Sequence, residues 1–285
     1  MTKREGGTKT RGRIVGYDAT RAAAWHKWFH VIEEGAQPLS DRMVELAALG
    51  PGHRVLDIAT GLGEPAVTAA RRVGPTGRVE AIDISPDMLA FARHRAVELG
   101  LGNIDYREMD AEMLEAPEAA FDAVLCRWGL MFIADLEATL AAIQGCLAPG
   151  GRFVAAVWGP PERVPSVSLS ARVVLNHLGM PPPDEGAMTP FALSDVAALR
   201  QSVAAAGFQD VRGEWLTVEY AFPSVAAFTE FRRDRSGPLN ARIAHHPAER
   251  LEAAWRAVTQ AARRYTTPEG AVRMENAAYC VAARR

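Results

Sequence analysis

Four residues in two short blocks carry the clearest chemistry: Asp57, Gly61 and Gly63 in VLDIATGLGEPAV (55–67), and Asp83 in EAIDISPDML (80–89). A Gly-x-Gly turn between a strand and a helix lets a ligand approach the backbone closely, because glycine has no Cβ and accepts positive φ. The turn partly matches a dinucleotide fingerprint, with Ala66 in the third glycine slot. Asp83 closes a strand twenty residues after Gly63, where a carboxylate takes both hydroxyls of a ribose. Two further acids oppose a phosphate. Asp57 ends the first strand, and Glu64 begins the following helix, close to where a pyrophosphate would lie. A carboxylate a few ångströms from a phosphate is repelled by on the order of 1–4 kcal/mol. No Gly-Lys-Ser/Thr follows the turn, so it is not a P-loop.

A ligand with a ribose, no phosphate and a positive charge suits these groups better than a dinucleotide. S-adenosylmethionine is such a ligand: an adenine, a ribose, a sulfonium and an ammonium, with one carboxylate for backbone N–H groups.

The elements that must position these residues follow from the hydrophobic pattern. Residues 19–49 read as two helices, the first stopping at Gly35, the second starting near Ser40 or Asp41 and ending at Gly50-Pro51-Gly52. From there strands and helices alternate: RVLDIA, EPAVTAARRVG, GRVEAID, SPDMLAFARHRAVELG, NIDYREM, FDAVLCR, DLEATLAAIQGCL and PGGRFVAAVW. Such alternation implies βαβ units and a parallel sheet covered on both faces. After Trp158 the chain becomes proline-rich around a short helix. A second helix and the strand QDVRGEWLTVEYAF follow, with Leu216, Val218 and Tyr220 on one face and Trp215, Thr217 and Glu219 on the other. Two helical segments and a last strand, RMENAAYCVAARR, complete it. The expected organisation is a leader over 1–16, N-terminal helices over 17–50 closing the site, a ligand-binding core over 51–158, and remaining strands with an interleaved helical cap over 159–285.

From about Pro51 to Trp158 the chain resembles class I S-adenosylmethionine-dependent methyltransferases, notably the ubiquinone/menaquinone-biosynthesis C-methyltransferase group. The resemblance runs through VLDIATGLGEPA, EAIDISPDML, REMDAEML, FDAVLCRWGLMF and LAPGGRFVAAVWG, in order and at family spacing. It implies an α/β, Rossmann-like sheet of seven mostly parallel strands in the order 3-2-1-4-5-7-6, with the seventh antiparallel. It also implies cofactor contacts: Asp57, Ala59, Thr60, Gly61 and Gly63 around the methionine part; Asp83 on the ribose; Ile84 and Met88 beside the adenine; Asp110, Ala111 and Glu112 at its edge; and Arg127 near the methionine carboxylate or the substrate. The family joins its last two strands by a short turn. Here about fifty residues, Phe222 to Arg273, intervene, so either a lid is inserted or the sixth strand lies elsewhere.

Other residue types offer weaker chemistry. His26 and His30 are four apart on one helix face, and His245 and His246 sit in the cap region. All four are candidate general bases for an acceptor that must lose a proton. None belongs to a third-ligand constellation, so no metal is expected. Trp25, Trp28, Phe29, Trp128, Met131 and Phe132 are candidate pocket walls, and an aromatic face near a desolvated cation is worth about 0.5–2 kcal/mol.

Composition sets the outer bounds. The chain has 285 residues, a net charge of −2 and 48% hydrophobic residues. Neither nucleic acid nor an anionic membrane is called for. Three scattered cysteines suggest a reduced, cytoplasmic setting, and no signal peptide or membrane span is expected. The helices of the first fifty residues are candidates for pairing two copies into a homodimer. The expected activity is methyl transfer to oxygen or carbon of a small, aromatic or natural-product-like acceptor, leaving S-adenosylhomocysteine. The alternatives are a cyclase or pericyclase that binds the same cofactor without methyl transfer, and an NAD-dependent oxidoreductase.

Overall fold

The computed structural model describes residues 19–184 and 187–285, and the leader expected over 1–16 lies outside them. Seven strands form one sheet in the order β3-β2-β1-β4-β5-β7-β6. They are β1 (Arg54–Ile58), β2 (Arg78–Asp83), β3 (Ile104–Glu108), β4 (Phe121–Arg127), β5 (Leu147–Trp158), β6 (Gln209–Phe222) and β7 (Val272–Arg284). The first five pair in parallel, and β7 runs antiparallel between β5 and β6.

Register decides which residues meet. Asp57 pairs with Ala81 of β2 and with Leu125 of β4. Side chains alternate with period two, so Asp83 and Arg127, each two residues further on, share the face of Asp57. Arg127 pairs with Ala156, which puts Trp158 on that face, and Trp158 and Leu216 both pair with Ala278. Tyr220 follows at period two. Asp83, Asp57, Arg127, Trp158 and Tyr220 therefore line one face at the C-terminal edge, where ligands of open α/β sheets bind. A slip of one residue in any strand would move its member to the opposite face.

That face is covered by α2 (Phe29–Leu46), α3 (Ala66–Val73), α6 (Pro165–Leu178), α8 (Val225–Arg235) and α10 (Ala248–Ala262), which share a core with it. The other face packs on α5 (Leu136–Cys146) and α7 (Val196–Ala205). α4 (Pro86–Glu98) starts with Ser85 as its N-cap, accepting from Met88 N–H, and Pro86 at its first turn. In β6, Val218 and Tyr220 are buried and Trp215 is 40% exposed, as the alternation predicts.

One sequence expectation changes and one open alternative is resolved. The N-terminal helix does not stop at Gly35. α1 (Ala19–Lys27) ends at Trp28, and α2 then runs unbroken through Gly35 and Pro38. Gly35 serves a close approach: a Cβ there would collide with the carbonyl of Glu219 in β6. The glycine is a packing device, not a terminator. The long connection before the last strand is an insertion, since β6 and β7 pair over nearly their whole length with α8, α9 (Gly237–Ile243) and α10 between them.

Candidate functional site

The turn after β1 supplies the first part of the site. Ala59, Gly61 and Gly63 all have positive φ, at 56°, 55° and 98°. Asp83 holds this turn from β2: its Oδ2 accepts from Gly61 N–H and its Oδ1 from Ser85 N–H, both at 2.9 Å. Burial raises its pKa, against these backbone donors. Each oxygen keeps a second lone pair for another donor.

Asp57 is fully buried. Its Oδ2 accepts from Ala66 N–H at 3.0 Å, at the start of α3, where the helix dipole favours an anion. The Thr60 hydroxyl lies beside it and favours the charged form, but not at hydrogen-bonding geometry; Oδ1 and the Thr60 hydroxyl are both left without a partner. Burial pushes the Asp57 carboxyl up to about 7. A buried polar atom without a partner is costly, so an unpaired acceptor beside a glycine turn marks a place for a donor from outside.

Glu64 has a different role from the one its position suggests. Its side chain is fully enclosed, paired with Arg95 at 2.8 Å and accepting from the Thr68 hydroxyl at 2.7 Å. Thr68 in turn receives Gln37 of α2 at 2.9 Å. The group ties α2, α3 and α4 together, and it does not confront a ligand as an unpaired charge.

Arg127 is likewise committed. Its Nη1 and Nη2 donate to the two carboxylate oxygens of Glu33 at 2.9 and 2.6 Å, and Nη1 also reaches Ser40 Oγ at 2.9 Å. Burial disfavours its charge, but Glu33 outweighs this and the net pKa is raised. The guanidinium expected near a cofactor or substrate carboxylate thus holds α2 across the end of β4. Glu33 was missed in the sequence because no local pattern links positions so far apart.

Beyond Arg127 the edge becomes aromatic. Trp128 has φ 59°, and its indole stacks on Trp158 at 4.2 Å and 17°. Its Nε1 is buried without a partner. Gly129 lets this turn press against the β1 turn, since a Cβ there would strike Ala59 Cβ and Cys126 Sγ. Tyr220 meets Trp158 edge-on at 6.3 Å and Phe231 at 6.2 Å. Met131 is buried in the core and Phe132 packs partly against it.

α1 and the start of α2 dock on α4 and α8. Trp28 donates Nε1–H to Asp234 at 2.8 Å, and Lys27 pairs with Asp234 and Glu230 at 2.7 Å. Arg235 lies over the Trp25 ring at 3.1 Å. Phe29 and His26 pack on Phe91, and Met88 is buried with Ala22 and Leu62.

The remaining candidates fall as follows. Asp110 is exposed and caps a short 3-10 turn, Ala111–Met113, accepting from Glu112 N–H at 2.9 Å. Glu112 accepts from Ala134 and Asp135 N–H, joining that turn to the start of α5. Ile84 is half-buried just beyond Asp83. His26 and His30 are exposed. The His245 and His246 rings pack against each other at 4.2 Å, tilted by 35°, and His246 meets Met180 beyond the far end of α6; no contact among the described residues brings either to the strand ends. No group of acidic, histidine or cysteine side chains among the described residues could hold a metal, and no described helix is long and apolar enough to cross a membrane.

The strand order and the Gly-x-Gly crevice define a Rossmann-like methyltransferase fold. Residues 55–151 match the family model of a methyltransferase domain. Over these residues the chain is similar to the class I S-adenosylmethionine-dependent methyltransferases. Among curated proteins, the chain is 36% identical over 152 residues to the ubiquinone/menaquinone biosynthesis C-methyltransferase UbiE of Teredinibacter turnerae, covering 53% of this chain and 61% of that one. The match thus spans about three-fifths of that relative. In fold, the chain is similar to the [4+2]-cyclase SpnF (TM-score 0.52, 23% identity, 88% of this chain and 81% of that one). It is also similar to phosphoethanolamine N-methyltransferase 2 of Haemonchus contortus (TM-score 0.56, 18% identity, 94% of this chain and 58% of that one).

Proposed function

We propose that the protein transfers a methyl group from S-adenosylmethionine to oxygen or carbon of a small-molecule acceptor. The observation that carries this reading is the buried Asp57 carboxylate, with an oxygen lacking a partner at the Gly61-Leu62-Gly63 turn. It suits a ligand bearing an ammonium and a sulfonium better than one bearing phosphates.

The cofactor brings a methyl already activated as a sulfonium, so the chain's residues need only bind, align and exclude water. Asp83 offers its free lone pairs to the ribose hydroxyls while fixing the glycine turn. Asp57 and the Thr60 hydroxyl meet the methionine end. Ile84 and Met88 flank the adenine, with Asp110, Ala111 and Glu112 at its edge. Arg127 acts through Glu33, holding α2 as a wall over the crevice. Trp128, stacked on Trp158, presents an aromatic surface next to the transferring group, with Trp25, Trp28 and Phe29 closing the opposite side. Alignment of this kind supplies roughly 7–11 kcal/mol of a displacement barrier. Burial raises the Tyr220 phenol, so at neutral pH it is a hydrogen-bond donor.

The test is incubation with S-adenosylmethionine and a panel of phenols, quinols and natural-product acids, followed by mass spectrometry. Formation of S-adenosylhomocysteine with an equivalent of methylated acceptor supports the proposal. Binding of NADH without binding of S-adenosylmethionine sinks it, and so does acceptor conversion without S-adenosylhomocysteine.

A further inference from the structure

Arg127 and Arg232 are the two buried arginines among the described residues, each 8% exposed. Their surroundings differ. Arg127 grips a carboxylate at both ends of its fork. Arg232, in the insertion helix α8, donates Nε–H to Ser170 Oγ of α6 and Nη2–H to Ser236 Oγ, both at 3.0 Å. Two hydroxyls carry no charge. No acid among the described residues acts on Arg232, and Nη1 has no protein partner. A largely buried guanidinium with no counter-charge carries a desolvation cost, which an arriving anion would offset. Burial lowers its pKa to about 10, which leaves it cationic at neutral pH.

Its electrostatic neighbour is Tyr220, at the end of β6. Tyr220 is 4% exposed, and its hydroxyl makes no hydrogen bond among the described residues. Arg235, Arg127 and Arg232 favour the ionised form of this phenol, and Glu33, itself paired with Arg127, opposes it. Phe231 joins the two, with its ring 6.2 Å from Tyr220 and 5.7 Å from the Arg232 guanidinium carbon. On the side toward β4 lies the Trp128–Trp158 stack.

We propose that the methyl acceptor carries a carboxylate, that Arg232 Nη1 and the Tyr220 hydroxyl receive it, and that the Trp128–Trp158 stack packs on its aromatic or apolar body. The proposal rests on the methyltransferase reading and names the substrate class for it. A guanidinium N–H and a phenol O–H can each donate to one oxygen of a carboxylate, and guanidinium is the side chain best suited to that partner. Ser170 and Ser236 then act as positioning residues, fixing the guanidinium plane.

The experiment is titration calorimetry on the full chain, with and without saturating S-adenosylhomocysteine. The probes are matched pairs: 2-naphthoate with 2-naphthamide, and indole-3-acetate with indole-3-acetamide. Wild type is expected to bind the acids about 10-fold or more tightly than the amides, the worth of a charge-assisted hydrogen bond. R232Q and R232M abolish that preference while S-adenosylhomocysteine binds as in wild type, and R232K restores part of it. A merely structural arginine would not move the acid-to-amide ratio. Y220F narrows the ratio without touching the guanidinium, and so reads the site even where an Arg232 variant folds poorly. Equal affinity for acid and amide in wild type, binding of neither, or a preference that survives R232Q overturns the proposal. Failure to bind S-adenosylhomocysteine is a separate outcome: it removes the methyltransferase reading, while the acid-to-amide ratio is still measured without it.

Discussion

The two halves of the sheet edge solve opposite problems. On the β1–β2 side the important side chains are short acids held by neighbouring backbone: Asp83 by Gly61 and Ser85, Asp57 by the first turn of α3. On the β4–β6 side they are long or aromatic, and their partners come from distant segments: Glu33 for Arg127, Ser170 for Arg232, Asp234 for Trp28. A site built from local backbone contacts is rigid and repeats wherever the same strand–turn–helix occurs. A site built from distant partners varies with every insertion. That contrast suits a fixed cofactor pocket beside an adaptable acceptor pocket.

Four substitutions or titrations sharpen or break the contrast. The largest effect is expected where a distant partnership is cut. E33A leaves the Arg127 guanidinium buried and unpaired, and should cost about 3–5 kcal/mol in stability, while the double variant E33M/R127M recovers most of it. Chemical denaturation of the three proteins checks this; a negligible loss in E33A would mean that the pair does not secure α2.

Next comes Asp57. Burial raises its carboxyl from 3.8 to about 7, so between these values the folded chain binds more protons than the unfolded one. The Asp57 contribution to stability without ligand should therefore be fully present below about pH 4 and be lost as pH rises through 7, by on the order of 4 kcal/mol at most. D57N should flatten that part of the profile. The same titration links to ligand: affinity for S-adenosylmethionine should rise from pH 6 to 8 in wild type and not in D57N.

D83A should weaken S-adenosylhomocysteine by at least about 100-fold, the lower end for two hydrogen bonds to a charged acceptor, read by calorimetry. Unchanged affinity would show that Asp83 only braces the turn. G35A forces a methyl to within 2.1 Å of the Glu219 carbonyl oxygen, which is backbone, and should cost about 3 kcal/mol, the upper end for overpacking, with a lower melting temperature.

The same contrast explains what the amino-acid sequence reveals. The individual strands and the β1–β2 acids are legible because their signals are local: a hydrophobic run, a glycine turn, a carboxylate at a fixed spacing; the order of the strands follows only from the family resemblance. Gly35 misleads for the opposite reason. A glycine within a helical pattern reads as a stop, yet here it accommodates β6, nearly two hundred positions away in the chain. Glu64 reads as a charge facing a ligand until Arg95 is seen beside it. Arg127 reads as a ligand contact until α2 delivers Glu33. The aromatic edge was half legible: Trp128 stands next to a recognisable strand end, while Trp158 and Tyr220 join it only through the register of β5, β7 and β6. Arg232 gave no signal at all, since one arginine among many on a polar-looking helix is unremarked until the fold buries it.

The Asp57–Asp83 crevice is proposed to accept a phosphate-free adenosine with a cationic sulfur. The direct measurement is calorimetric titration of the full chain with S-adenosylmethionine and, separately, with NADH at neutral pH. Saturable one-to-one binding of S-adenosylmethionine and no heat from NADH are expected. Saturable NADH binding with no heat from S-adenosylmethionine would contradict the proposal.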